Sequence, residues 1–436
     1  MRSARTRSLQ TIAIVGAGFE GTLAALWLGQ ACRGTGIRIV LAPCPGAEAC
    51  DFAYATLPAR PDDLLGALGI SDLTLLQACS ASFALGVALG DHTLPFGSVG
   101  MDFAGADFHH HWLLTDRQES YFAYSPAWQA MQGAQFAPPV ARNAIGSLQH
   151  EFTRLVDVPA LVDLLSRQFE SRGIRVTAPI DSNQWSPTHN AHKLVFTDSE
   201  SLDADIVIDA SGSRSDGESP WLHAQSEDTV APLPTYKVED EGPAWLRVTP
   251  LADRTILTRF DHTRSSASRT PWEGNVVRIG AAAHALPPLL PWYSSLLMRS
   301  IRRLAEWLPP SRDLDHHRRA FNRQFAADVD LLASANALVE TALGRPSDAT
   351  PEAALSLWCK RGAWHDPDSD LLNRWDWIGL LMALNHYPQN HDPLAERLPA
   401  KSRTQHCARL RAEIVRITSG FPKLTDYLAA AQQAGQ

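Results

Sequence analysis

Gly16, Gly18 and Gly21 stand at the spacing that lets a backbone turn approach a phosphate. In a strand–turn–helix unit the first glycine permits the tight turn and the second admits a pyrophosphate to the backbone. The third lets helix and strand pack closely. Two further small-residue turns could face the same ligand: Asp209-Ala-Ser-Gly212 and Gly280-Ala-Ala-Ala-His284. His284 has two roles open to it, acid–base work and ordinary loop packing. The run Phe108-His109-His110-His111-Trp112 invites a metal reading, because on a strand His109 and His111 would share a face. Two imidazoles without a third ligand nearby make a poor site, so no metal is expected. Ser211 has no histidine in a context that marks it as a base, and its segment is read as a structural turn.

These turns need elements to hold them. Thr11-Ile-Ala-Ile-Val15 reads as a buried strand, an Ala- and Leu-rich helix follows Gly21, and Gly36–Leu41 reads as a second strand. The acid that usually ends such a second strand and binds ribose hydroxyls is missing, since the chain runs Val40-Leu41-Ala42-Pro43 with no carboxylate before Glu48. Losing a charge-assisted hydrogen bond costs about 1.5–3 kcal/mol, so weakened nucleotide binding is expected. Residues 151–175 predict an amphipathic helix closing at Gly173. Ile206–Ile208 and Asn275–Gly280 read as further buried strands, Ser294–Leu308 as a helix, and the chain from about 311 as mostly helical. Three widely separated strand–glycine junctions indicate one interleaved α/β fold of Rossmann type. The expected division is a nucleotide-binding part over 1–320, with a substrate region interleaved at about 60–150 and 216–270, and a helical part over 321–436.

The 436 residues carry 39 basic against 47 acidic side chains, a formal charge of −8, and no clustered Lys/Arg block, which argues against a nucleic-acid partner. Six cysteines at irregular spacings, with no C-x-x-C pair, read as reduced thiols of a cytoplasmic protein. Cys79 follows the apolar stretch Leu73–Ala78 and is expected to be buried and inert. The basic start leads into only five apolar residues before the glycine turn, too few for a secretion signal, and no run is long enough to span a membrane. Thirteen tryptophans are an excess for this length. Trp375 and Trp377 are read as core or lid residues.

Taken together, five segments in order resemble the flavin-dependent tryptophan halogenase family, a branch of the flavin monooxygenase fold. Gly16-x-Gly18-x-x-Gly21 occupies the family's nucleotide loop, and Ala53-Tyr-Ala-Thr56-Leu-Pro58 stands where the family has Gly-Glu-Ala-Thr-x-Pro. Asp209-Ala-Ser-Gly212-Ser-Arg214 matches Asp-x-Ser-Gly-x-Arg, and Trp272-Glu-Gly-Asn275-Val-Val-Arg-Ile-Gly280 resembles Trp-x-x-Asn-Val-x-x-x-Gly. Tyr387-Pro388-Gln-Asn-His391-Asp-Pro393-Leu394 resembles the terminal Pro-x-x-Tyr-His-Pro-Leu segment. The resemblance implies FAD, reduced by a separate flavin reductase, which with oxygen oxidises halide for transfer to a small aromatic or peptide-borne substrate. It places FAD contacts at Gly16, Gly18, Gly21, Ala42, Thr56, Gly280, Ala281 and Leu289, and substrate-region residues at Trp245, Trp292 and His284.

The reactive residues of that family are absent. Its lysine segment reads Ser82-Phe83-Ala84-Leu85-Gly86 here, so Ala84 replaces the lysine. Its glutamate segment reads Pro287-Pro288-Leu289-Leu290-Pro291-Trp292, so Leu290 replaces the glutamate. The Trp-x-Trp-x-Ile-Pro motif reads Trp245-Leu-Arg247-Val-Thr249-Pro250, and the strap glutamate has become Tyr54. Two readings follow. The favoured one is an FAD-dependent oxidoreductase that is not an ordinary tryptophan halogenase. The other is a non-catalytic relative serving as a binding protein, a homodimer or the partner of another enzyme.

Overall fold

Strand β1 (Thr11–Val15) is buried at every position, as the central strand of a parallel sheet must be. It pairs on one side with β2 (Arg38–Ala42) and on the other with the strand Ile206–Asp209, both parallel, so that Val15, Ala42 and Asp209 end at one level. Helix α1 (Phe19–Ala31) connects β1 to β2. The six-stranded sheet continues through Val276–Arg278 and Trp272–Glu273 at one edge and Arg175–Val176 at the other. The strand order thus proceeds to opposite sides of β1, which opens a crevice beyond the strands' carboxyl ends. The structure, a computed structural model, describes residues 9–60, 63–138, 151–186, 191–212, 221–228, 231–261, 268–308, 314–345, 347–364 and 371–433. Arg214 and Ser215 of the return segment lie outside the described residues.

A second six-stranded sheet is ordered Trp221–Asp228, Arg254–Asp261, Ala244–Pro250, Tyr236–Asp240, Gly86–Leu89, His92–Pro95. It is antiparallel except where Tyr236–Asp240 runs parallel to Gly86–Leu89. A small antiparallel sheet, β3 (Thr56–Pro58), Thr153–Leu155 and β4 (Ser82–Ala84), links the two regions. Its middle strand corrects the expected helix over 151–175. Thr153-Arg-Leu155 is extended, with Arg154 bonded to Asp63 and Asp72. The helix begins at Val158, where Asp157 is the N-cap residue and proline opens the first turn, and it ends at Ser166 before a short turn to Gly173.

The predicted helix over Ser294–Leu308 forms at Trp292–Glu306 and packs between α1 and the long helix Asp315–Ala342. Asp328, fully buried on the long helix, accepts from Arg303 and lies 3.5 Å from Arg299. The helices Glu352–Arg361, Arg374–Ala383, Ala400–Thr418 and Leu424–Gln433 follow. The histidine run is not a strand: Phe108–Leu113 is a short helix, so His109 and His111 share no sheet face. All six cysteines are free. Among the described residues no helix is long and apolar enough to cross a membrane.

Candidate functional site

At the crevice the chain turns at Gly16, with φ of +110°. A β-carbon on Gly16 would lie 2.1 Å from the Ala210 carbonyl oxygen, and one on Gly21 would lie 1.9 Å from that of Gly16. The packing of β1, α1 and the neighbouring turn therefore requires both glycines whatever the ligand. The open side of Gly18 is covered by the chain itself, since a β-carbon there would meet Asp51 Oδ1 at 2.7 Å and the Ala47 carbonyl at 2.9 Å. Asp51 belongs to the 3-10 segment Ala47–Tyr54, which lies across the glycine turn. Its Oδ1 accepts the Phe19 N–H, the first amide of α1, at 2.7 Å. One amide at the positive end of that helix is thus satisfied by an internal carboxyl group.

Glu20, the only charged residue of α1, is buried. Its Oε1 accepts the Tyr54 hydroxyl at 2.6 Å and the Ala281 N–H at 2.8 Å. Gly280 makes the room, because a β-carbon there would fall 2.1–2.3 Å from the Glu20 carboxyl atoms. Burial pushes the Glu20 carboxyl up to about 8; its two hydrogen bonds oppose the rise, and the Asp51 and Asp209 carboxyls add to it. Burial likewise pushes Asp51 up to about 7 against the pull of the Phe19 amide, and raises Asp209. Tyr54 packs between Phe19 and Tyr293, at centroid distances of 5.2 and 5.3 Å.

Arg247 is also buried. It donates to the carbonyls of Phe52, Ala53 (3.1 Å) and Pro288 (3.4 Å), and lies 5.1 Å from the Phe260 ring centroid. It thereby ties the segment carrying Asp51 to the Pro287–Pro291 loop. Burial lowers its pKa to about 10, which leaves it cationic at neutral pH.

Ala84 ends β4 fully buried, opposite Thr153, which pairs on its other side with Pro58. Leu290 is equally buried, and Trp292 opens its helix with the Arg60 guanidinium 5.8 Å from its ring centroid. Arg60 also bonds Asp376, Glu151 at 3.0 Å and the Leu371 carbonyl at 3.3 Å. The cleft beside Trp292, lined by Pro58, Arg60, Phe96, Trp375 and Asp376 among others, has a volume of about 20 Å³, room for a single water. Trp245 is buried in the strand Ala244–Pro250, with the Arg345 guanidinium 5.6 Å from its ring. His284 is buried edge-on to Tyr293 at 5.1 Å. Trp377 stacks on Trp364 in the core, and Trp375 is exposed.

Asp107, His109 and His110 bring potential ligand atoms within 4.8 Å of one another. His109 Nε2 donates to the Gly362 carbonyl at 2.8 Å, and His110 Nδ1 accepts the Asp392 N–H at 3.1 Å, which leaves the His110 proton on Nε2. Asp107 is engaged by Arg374. The group is a hydrogen-bonded junction between the Phe108–Leu113 helix and the C-terminal segments.

Residues 11–238 and 243–400 match the tryptophan halogenase family. The chain belongs to the tryptophan halogenase family. Solved structures give the same fold. BrvH, a flavin-dependent halogenase from Brevundimonas sp. BAL3, is 20% identical with a TM-score of 0.83 over 97% of this chain and 99% of that one. Xcc4156, a flavin-dependent halogenase from Xanthomonas campestris, is 19% identical with a TM-score of 0.80 over 98% and 99%. A tryptophan halogenase from Shewanella frigidimarina NCIMB 400 is 15% identical with a TM-score of 0.73 over 98% of each chain. No curated protein matches the sequence.

FAD is the cofactor that membership of the halogenase family implies. Four of the expected contact positions lie at the crevice: the Gly16 N–H donates to the Ala42 carbonyl at 2.9 Å, and Gly280 and Ala281 meet α1 through Glu20. Thr56 is held by the Ser294 hydroxyl on its carbonyl, and the Leu289 carbonyl accepts from Tyr236 at 3.5 Å. Yet the residues present do not fit a diphosphate. The first amide of α1 is already bonded, the space above Gly18 is filled, and Glu20, Asp51 and Asp209 surround the turn with acids. Glu20, Asp51 and Tyr293 escaped the sequence reading. One acid inside an otherwise apolar helix was the signal for Glu20; Asp51 carried none.

Proposed function

We propose that this member of the halogenase family keeps the fold without halogenating tryptophan, and acts as a binding or partner protein. The observation that carries the reading is that Ala84 and Leu290, at the positions of the family's lysine and glutamate, are both fully buried. A methyl group neither forms a haloamine nor hydrogen-bonds an oxidant, and an isobutyl group moves no proton. Ala84→Lys alone should not install the activity, because Leu290 and Arg247 would remain. The free cysteines support a cytoplasmic location.

A second reading is an FAD-dependent oxidoreductase fed by a flavin reductase and acting on an aromatic or peptide-borne substrate. The family membership and the glycine turn at the β1–α1 junction favour it. The deciding experiment supplies the purified protein with a flavin reductase, NADH, FAD, oxygen and chloride or bromide, and offers tryptophan, indole and a tryptophan-containing peptide. Mass spectrometry should detect no halogenated product. Catalytic formation of one would overturn the proposal.

A further inference from the structure

We propose that the nucleotide cradle of this chain is filled by its own acids, Asp51 where a pyrophosphate would meet α1 and Glu20 at the Gly280–Ala281 turn, so that the native protein takes up neither FAD nor ADP. This deepens the non-catalytic reading, although a chain that does not halogenate could still have bound flavin.

Three observations carry the inference independently. The first concerns donors. A pyrophosphate at a helix start is held by free backbone amides, and here the Phe19 amide serves Asp51 while the Ala281 amide serves Glu20. The second concerns space. Gly18 and Gly280 are the positions where missing side chains would admit a ligand, and both openings are closed by side chains of this chain at less than normal β-carbon contact. The third concerns anchoring. The covering segment Ala47–Tyr54 is pinned at Asp51 by α1, at Tyr54 by Glu20, and at the Phe52 and Ala53 carbonyls by Arg247. A dinucleotide would have to displace all three attachments together.

The arrangement also accounts for the three glycines without a nucleotide. Gly16 and Gly21 serve the packing of β1 against α1, and Gly18 gives Asp51 and Ala47 their approach. The spacing is therefore compatible with a turn whose ligand is part of the protein.

The test is equilibrium binding of FAD and of ADP, by fluorescence and calorimetry, to the wild-type chain and to a Glu20→Ala/Asp51→Gly double variant. Neither nucleotide should bind the wild type saturably up to about 1 mM, and the double variant should bind at least about tenfold more tightly than that limit. Stoichiometric micromolar binding of FAD by the wild type overturns the inference. A double variant that keeps its fold by circular dichroism and still binds nothing also overturns it, because the two acids would then not be what excludes the nucleotide. Should the double variant fail to fold, amide hydrogen exchange of the wild type decides. Residues 16–24 and 47–54 should exchange identically with and without FAD, and protection by FAD refutes the proposal. Wild-type uptake of FAD without halogenated product would sink this inference and leave the proposed function standing.

Discussion

Replacing Glu20 by glutamine should stabilise the protein, and by more as the pH rises. In the folded chain the Glu20 carboxyl holds its proton up to about 8, whereas its ordinary value is 4.5. Between those values folding takes up a proton. The stability associated with the neutral carboxyl is complete below the unfolded pKa and is lost at about 1.4 kcal/mol per pH unit until the folded pKa is passed. At neutral pH the loss is on the order of 3 kcal/mol. Glutamine has the shape of the neutral acid, and its Oε1 can accept the same Tyr54 hydroxyl and Ala281 amide, with no proton to take up. The groups facing Glu20 are Tyr54, Tyr293, Asp51 and Asp209. Both tyrosines are held well above 10 by burial; the two aspartates are present in both proteins and act on the difference only through the part they add to the Glu20 rise. Urea unfolding followed by tryptophan fluorescence, from about pH 4.5 to 8, should give curves for wild type and variant that meet at the acid end and separate by about 3 kcal/mol at neutrality. Parallel curves would refute the reasoning, for they would mean that Glu20 is not a neutral acid in the fold.

Two further outcomes are expected. Arg247→Met strips the Phe52, Ala53 and Pro288 carbonyls of their donor while relieving a buried cation, so a net loss of about 1–3 kcal/mol is expected, with faster hydrogen exchange across 47–54; unchanged exchange there would show that Arg247 does not anchor the segment. Of the six thiols, five are buried and Cys359 is partly exposed, and burial pushes Cys79 up to about 12. A thiol reagent should therefore label Cys359 first in the native protein and all six only after unfolding, and fast native labelling of Cys79 would contradict its placement.

The nucleotide-type fold was legible because its signal is local: an apolar five-residue run, three glycines and an Ala/Leu helix stand contiguous between residues 11 and 31. The strand Thr153–Leu155 was not legible, since Phe152, Leu155, Val158 and Leu161 also fit a helical period and only pairing with β3 and β4 makes Leu155 extended. The histidine run failed for the opposite reason, as alternation suggested a strand where the chain forms one short helix. At the site, Ala84 and Leu290 could be read as losses from sequence alone. The positions of Asp51 and Glu20 could not, because the contacts that define them join residues 51 to 19 and 20 to 281, and no periodicity reports a separation of that kind. The three glycines do not by themselves require a ligand, because packing needs Gly16 and Gly21 in any case.

Arg60, two residues beyond β3, binds three parts of the chain at once: Glu151 beside the middle strand of the small sheet, the Leu371 carbonyl, and Asp376 in the helix Arg374–Ala383. It does so while covering Trp292, the residue that narrows the cleft. Lifting the helix Arg374–Ala383 would break the Arg60–Asp376 pair, whose guanidinium also lies over the indole. The cleft wall and the helix Arg374–Ala383 therefore share one guanidinium as a common fastening.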